Sequence, residues 1–419
     1  METEQPDERR LGLTPFAAYL GGMATWFVNL GLQFVIIPTV VAVYLKAGAA
    51  ELAFSQIMLA LPQLLLLIYA GAIADRSDGR RVLIAVHTLA SIPPMLLGWL
   101  LWNGDLTYIH VVIYAGVMGA LSAFGLPARD ALLLRVTGHD VQRAVSTSLI
   151  AQFAAQIVGF TLAGLAAPIT GPWVLPVMQC LALAVGLGFA FALPTLPAID
   201  KKAVPQTRAA ADRGWRTGLH IVIHSPRLYP VMLSTISVGI FFIGPFMVGL
   251  PLIVRDNFDG GQLEISLLSL FFWGGTIITT IFLMYRAPIE MRGRAMIAAV
   301  FIGCLSLLGI AYAPSFPLVC MLAMMWGLAA GVNMTMSRTI AQIESPVHAR
   351  ARVLAIYNLG FMGAAPAGAT LTGFLTELLG VEHATALSVG FMLIFSVWLC
   401  LRTPILRVKR HARESRQRD

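Results

Sequence analysis

Long uncharged runs alternate with short charged intervals along the whole chain. Breaking it at Asp, Glu, Lys and Arg leaves uncharged windows at 11–45, 52–74, 82–104, 106–128, 144–199, 228–254, 265–285, 295–337, 353–376 and 383–401. Each is long enough for a helix across a bilayer, which needs roughly 20 apolar residues. Two of the windows have room for two crossings. Both contain a cluster that breaks a helix, Pro168-Ile169-Thr170-Gly171-Pro172 and Pro314-Ser315-Phe316-Pro317. The pattern predicts twelve spans and an all-α membrane protein.

Charge placement gives the spans a direction. With the intervals assigned alternately to the two sides, 27 of the 29 Lys and Arg residues fall on one side and only Lys46 and Arg255 on the other. Positive charge is retained on the cytoplasmic side during insertion. Both termini and the long middle interval are therefore expected in the cytoplasm, with the chain in a bacterial inner (plasma) membrane. Composition excludes the soluble alternative: 58% of residues are hydrophobic and 12% charged, where soluble chains carry about 25% charged. The formal charge of +8 is consumed by topology, and no basic face interleaved with aromatics remains for nucleic acid. Cys180, Cys304, Cys320 and Cys400 lie in apolar spans without metal or redox spacing and read as small hydrophobes. The start Met1-Glu2-Thr3-Glu4-Gln5, followed by a span too long for a signal-peptide core, predicts that the first segment is kept.

The longest hydrophilic stretch divides the spans into six and six. The expected organisation is an N-terminal bundle at 1–197, a cytoplasmic linker at 198–227, a C-terminal bundle at 228–402 and a basic cytoplasmic tail at 403–419. Trp215 to His224 alternates bulky apolar and polar groups, a pattern for a short helix in the headgroup layer. His220 and His224 are four apart, but with no third ligand nearby they read as interface histidines rather than a metal pair. The halves repeat each other at a shift of 209 residues: Arg129 meets Arg338, Arg143 meets Arg352, Gly159 meets Gly368 and Gly164 meets Gly373. Duplicated six-span halves are a signature of secondary transporters.

Between spans 2 and 3 stands Gly71-Ala72-Ile73-Ala74-Asp75-Arg76-Ser77-Asp78-Gly79-Arg80-Arg81. It resembles the signature loop of the major facilitator superfamily, Gly-x-x-x-Asp-Arg-x-x-Gly-Arg-Arg, at the place where that family carries it. Gly71 is expected at a close helix approach and Gly79 at the reversal into span 3. The resemblance implies two pseudo-symmetric six-helix bundles. It also implies a cytoplasmic latch in which Asp75 docks on the start of span 11 near Arg350. Leu126-Pro127-Ala128-Arg129-Asp130 with Arg143-Ala144-Val145 and Gln152, Gly218-Leu219 with Ser225-Pro226-Arg227-Leu228, and Gln342 through Arg352 with Gly363 and Pro366 resemble one branch. That branch holds drug and siderophore exporters related to the enterobactin exporter and the macrolide-efflux proteins. The gating set that follows is Gly71, Asp75, Arg76, Gly79, Arg80, Arg129, Asp130 and Arg338. The chain departs from the proton-coupled relatives in two places: 106–128 holds no charge, and Gly159 is followed by Phe160 rather than Pro.

No Asp or Glu lies in mid-span; Glu51, Asp75, Asp130 and Glu264 come nearest to the membrane. A path without fixed charge suits a neutral or amphipathic substrate, and leaves neutral polar groups to line it. Thr25, Asn29 and Gln33 recur every four residues on span 1 and share one stripe. Gln152 and Gln156 repeat the idea on span 5, and Asn333, Tyr357 and Asn358 supply the other half. Tyr114 and His110 on span 4 are further candidates. Each amide has a bland alternative as interhelical glue. Met321, Met324 and Met325 beside Trp326 offer an adaptable wall or, more simply, packing and lipid-facing surface.

The expected function is secondary export of a small organic molecule by alternating access, by a monomer without cofactor or metal. Proton-coupled antiport and gradient-independent facilitation are both open. A facilitator or flippase of lipid-like molecules is the rival within transport. A polytopic membrane enzyme would need an embedded His/Asp/Glu or Ser-centred cluster, and the sequence offers none. No Gly-x-x-x-x-Gly-Lys phosphate cradle is present to bring in ATP.

Overall fold

A computed structural model of the chain describes residues 14–74, 77–136, 141–194, 218–286, 289–346 and 349–407. Among them, twelve helices are long and apolar enough to cross a membrane. In chain order they are α1 (Pro15–Tyr44), α2 (Ala49–Ala74), α3 (Gly79–Asn103), α4 (Tyr108–Val136), α5 (Val141–Thr170) and α6 (Val174–Ala192), then α7 (Leu228–Phe258), α8 (Gln262–Tyr285), α9 (Arg292–Ala311), α10 (Phe316–Ile343), α11 (Arg350–Leu379) and α12 (Val381–Arg402). The two double windows divide where the turn clusters stand. The first break falls at Gly171, whose φ of 76° is open to glycine without strain, and Pro168 is carried in the last turn of α5. Residues 218–224 are helical, within the stretch expected to form a headgroup helix.

Helix ends follow local chemistry. Thr14 caps α1, its hydroxyl accepting from the Ala17 amide at 3.3 Å, with Pro15 in the first turn. Asp78 caps α3 through the Arg80 amide at 3.1 Å, and Gly104, at φ 78°, ends that helix. Glu264 reaches back to the Gly261 amide at 2.7 Å to start α8. Both α1 and α7 contain wide, π-type turns, at Thr39–Tyr44 in one and at Gly239–Ile243 and Pro245–Gly249 in the other. Pro38 and Pro245 stand beside these turns, and a missing proline N–H is a local reason for the ladder to slip.

The chain falls into two compact units, Met1–Leu45 with Met58–Val204, and Lys46–Ile57 with Pro205–Asp419. In the first, α1 packs on α5 and α6, and α3 on α4 and α6. In the second, α10 packs on α8 and α9, the wide turn of α7 on α11, and α9 on α12. Lipid tails are as apolar as leucine, so such contacts rest on close packing and hydrogen bonds, and small residues are what permit them. A Cβ on Gly159 would lie 2.5 Å from the Val28 carbonyl oxygen, and one on Gly368 would lie 2.5 Å from that of Ile240. These two glycines are the pair matched by the 209-residue repeat, and each does the same work in its own unit. The outward faces are apolar: Leu65, Trp102, Ile394 and Leu401 are all exposed, as lipid-facing side chains are.

The start of α2 belongs to the second unit for identifiable reasons. Glu377 on α11 accepts from the Ala50 amide at 3.2 Å, serving an unpaired N–H at the start of a helix. Arg255 donates to the Ala47 carbonyl at 2.7 Å, and a Cβ on Gly373 would meet that of Ala53 at 2.6 Å.

Candidate functional site

The stripe on α1 is real, and its members differ in what they meet. Thr25 is half-buried and donates to the Gly22 carbonyl at 2.9 Å. Gln33 is buried, and its Oε1 accepts from Gln179 Nε2 on α6 at 3.4 Å. Gln179 Oε1 in turn accepts from the Tyr114 hydroxyl of α4 at 2.6 Å. Three helices are thus joined by a relay of buried polar groups. Between Thr25 and Gln33 lies Asn29, which is 0% exposed and whose Oδ1 and Nδ2 make no hydrogen bond. An enclosed, unserved amide costs on the order of 1–3 kcal/mol, so Asn29 stands out from its neighbours.

Beside the stripe is a second group that the uncharged windows concealed. The uncharged window ends at 128, before Arg129 and Asp130, but α4 runs on to Val136. Arg129 is therefore a helical residue, 5% exposed, with its guanidinium 4.9 Å from the ring centre of Trp26 and 5.4 Å from that of Phe27. Its Nε donates to the Gly125 carbonyl at 3.0 Å, while Nη1 has no hydrogen-bond partner. His87 of α3 also meets Trp26, edge to face at 5.5 Å. Its Nδ1 lies 2.8 Å from the Leu83 carbonyl oxygen, and Gly186 of α6 leaves room for the ring, since a Cβ there would be 2.6 Å from it. Arg129 thus lies on α4 itself, in its last third, with its guanidinium against aromatic faces.

In the second unit Tyr357 is buried and shares a 2.8 Å hydrogen bond with Ser337. Asn333 donates to the Met296 carbonyl at 3.5 Å, and Asn358 is exposed. Gln156 is buried and Gln152 half-buried on α5. His110 caps the start of α4, its Nδ1 accepting from the Thr107 amide at 3.2 Å, and is a helix-end residue. Trp326 is enclosed by Phe242, Phe246 and Phe272 at 5.6, 5.9 and 5.0 Å, whereas Met321 faces outward.

Of the gating set, Asp75 and Arg76 lie outside the described residues. A Cβ on Gly71 would meet no atom within 4 Å among the described residues. Gly79 has an ordinary φ and begins α3; a side chain there would strike Leu132 at 2.8 Å, so packing and not reversal calls for glycine. Arg80 donates to the Phe191 carbonyl at 2.9 Å, tying α3 to α6. Asp130 is exposed. Arg338 is exposed on α10, so the repeat partners Arg129 and Arg338 have diverged, one buried and one open. His220 and His224 stack at 4.0 Å, and no cluster of metal-ligating side chains occurs among the described residues. All four cysteines are unpaired.

Gln179, His87 and Ser337 were missed by the sequence reading. Gln179 is the one amide in the otherwise apolar α6, which is the signal that was available for it. For the relay, Gln179→Leu is expected to strand the Tyr114 hydroxyl and the Gln33 amide and to destabilise the protein by about 1–3 kcal/mol. A lower melting temperature in detergent checks this, and Gln179→Glu should recover part of the loss.

Residues 18–418 match the family model described as transmembrane secretion effector, a branch of the major facilitator superfamily. The chain belongs to this family. The multidrug efflux pump Tap of Mycobacterium tuberculosis is 26% identical over 372 residues, 86% of each chain, and Tap of Mycolicibacterium fortuitum is 24% identical over 361. Among solved structures, the nucleoside transporter NupG aligns with a TM-score of 0.76 at 13% identity, covering 95% of this chain and all of that one. An inward-facing bacterial homologue of the lysosomal transporter Spinster aligns at 0.68 and 14%, over 96% of this chain and all of the other. At such identities the solved structures speak to the major facilitator fold. Within that fold, α1 and α7 are equivalent first helices of their halves, and both carry the wide turns described above.

Proposed function

We propose that this protein exports a small neutral or amphipathic organic molecule from the cytoplasm by alternating access, as a monomer with both termini and residues 198–227 cytoplasmic. The observation that carries the reading is the family match across residues 18–418, supported by relatives named as multidrug efflux pumps over 86% of the chain. The polar stripe on α1 supplies contact groups of the right kind, with Asn29 the residue left unserved by the protein itself. The wide turns of α1 and α7 supply points where a helix can bend. Coupling to protons is expected to be loose. Glu264 is engaged as a helix cap and Asp130 is exposed, so neither is a carboxylate enclosed within a span.

The test is efflux of a chemically broad panel in a transporter-deficient host, with and without a collapsed proton gradient. Lower accumulation of neutral or amphipathic compounds is expected, persisting in part after collapse. Uptake instead of efflux, or no compound moved, overturns the proposal. For topology, an impermeant thiol reagent should label cysteines placed near Ala49 and Gly104 in intact cells and leave one near Ala203 untouched, the order dictated by the charge split. Labelling at 203 would reverse the orientation.

A further inference from the structure

On the exposed face of the second unit, α8, α9 and α10 enclose an open groove of about 1040 Å³. Its α9 wall is the single stripe Ala295, Ala298, Ala299, Ile302 and Leu305. Alanines where larger aliphatic residues would close the gap keep this trough open. From 295 to 305 the stripe rises about 15 Å, at roughly 1.5 Å per residue. That is about half of a hydrocarbon core of roughly 30 Å, the depth of one leaflet.

One end of the groove is marked by charge. Arg286, immediately after α8, lines it and is exposed, its guanidinium 5.3 Å from the ring centre of Phe282. Arg294, in the first turn of α9, is exposed nearby in sequence. Neither has a carboxylate partner among the described ion pairs, although Glu290 stands between them. An apolar trough one leaflet deep, closed by an uncompensated guanidinium, has the form of a lipid: chain below, anionic headgroup at the rim.

We propose that this groove is a binding site for an anionic phospholipid, with an acyl chain along the α9 stripe and its phosphate at Arg286, Arg294 adding charge. By the charge rule the Arg286 end faces the cytoplasmic leaflet, where anionic lipids attract basic residues. That leaflet rests on the topology proposed above; binding itself does not. A neutral cargo molecule would leave the guanidinium unserved, so the charge favours a lipid over a transported compound.

Native mass spectrometry of the full chain, delipidated in neutral detergent, tests the site. The probes are phosphatidylglycerol, phosphatidylcholine with the same acyl chains, and inorganic phosphate. One phosphatidylglycerol per chain is expected to be retained in preference to phosphatidylcholine, and phosphate should not displace it. Arg286→Gln should weaken retention about fivefold, the usual worth of one basic residue at a lipid surface. Ala298→Phe, which fills the trough from an exposed position, should abolish retention without lowering the melting temperature. Equal retention by wild type and both variants, or by both lipids, overturns the proposal. Displacement by phosphate alone would show a free-anion site, and stoichiometric binding of a transported compound in the lipid's place would make the groove a cargo site; either result also refutes it. Since no efflux is measured, failure here is distinct from failure of the export reading.

Discussion

Gly327→Ala should cost this protein most of its folded yield, although alanine is the better helix former by about 1 kcal/mol. A methyl group at 327 would fall inside the van der Waals envelope of the Phe272 carbonyl oxygen, where α10 crosses α8. Gly331, one turn on, faces the Thr276 carbonyl, and a Cβ there would approach it to 2.7 Å. Gly327 and Gly331 form a Gly-x-x-x-Gly face, the pattern by which membrane helices bring their backbones together. Thr276 confirms the closeness, its hydroxyl donating across the interface to the Gly327 carbonyl at 3.1 Å. Forcing the helices apart breaks this bond and loosens the aromatic cluster around Trp326. Overpacking of this kind costs about 1–3 kcal/mol, and more where the obstacle is backbone. Size-exclusion profiles and melting temperatures in detergent read the loss. Gly390→Ala on α12 is the control, because a Cβ there meets nothing within 4 Å and the change should be neutral or slightly stabilising. Equal melting temperatures for Gly327→Ala and wild type would refute the packing account.

Asn29→Leu should act in the opposite sense on stability while removing transport. Leucine keeps the forked shape of the side chain and takes away two enclosed polar atoms that have no hydrogen bond. Replacing an unserved polar group by an apolar one of similar shape is worth about 1–3 kcal/mol, less the strain of two slightly larger methyl groups. If Asn29 is held for contact with cargo or for another conformation, the more stable protein will export poorly. Such an exchange of stability for activity is expected where a site is kept strained. Thermal melting and efflux of a transported compound, measured on Asn29→Leu and Asn29→Ala, decide it. Undiminished efflux in both variants would reduce Asn29 to a packing defect. Gln33 should behave differently, since the relay to Gln179 and Tyr114 gives it a structural duty whatever its contact with cargo.

Much of the architecture was legible because lipid imposes a coarse rule on sequence. Spans must be apolar and about 20 residues long, and basic residues must stay on one side. The windows, their breaks at the clusters 168–172 and 314–317, and the repeat that pairs Gly159 with Gly368 could all be read without coordinates. The rule also misled at one point. Treating every charge as the end of a span hid Arg129 inside α4, because an arginine within a bundle can be accommodated by aromatic faces and a carbonyl, partners that lie on other turns and helices. His87 was passed over for the same reason: nothing local distinguishes a buried ring from an exposed one.

What the sequence determined by itself is therefore the number of spans, most of their limits within a few residues though not the ends of α4 and α10, the duplicated halves and the family. These depend on length, local polarity and spacing, properties of neighbouring residues. Only the tertiary structure decided that Gln33, Gln179 and Tyr114 form a relay while Asn29 is left alone, that Gly79 serves Leu132 and not a turn, and that Glu377 caps α2. Each depends on which face of one helix meets which face of another. Ångström differences in helix rotation and approach separate a satisfied amide from a stranded one, and no span-length or charge rule contains them.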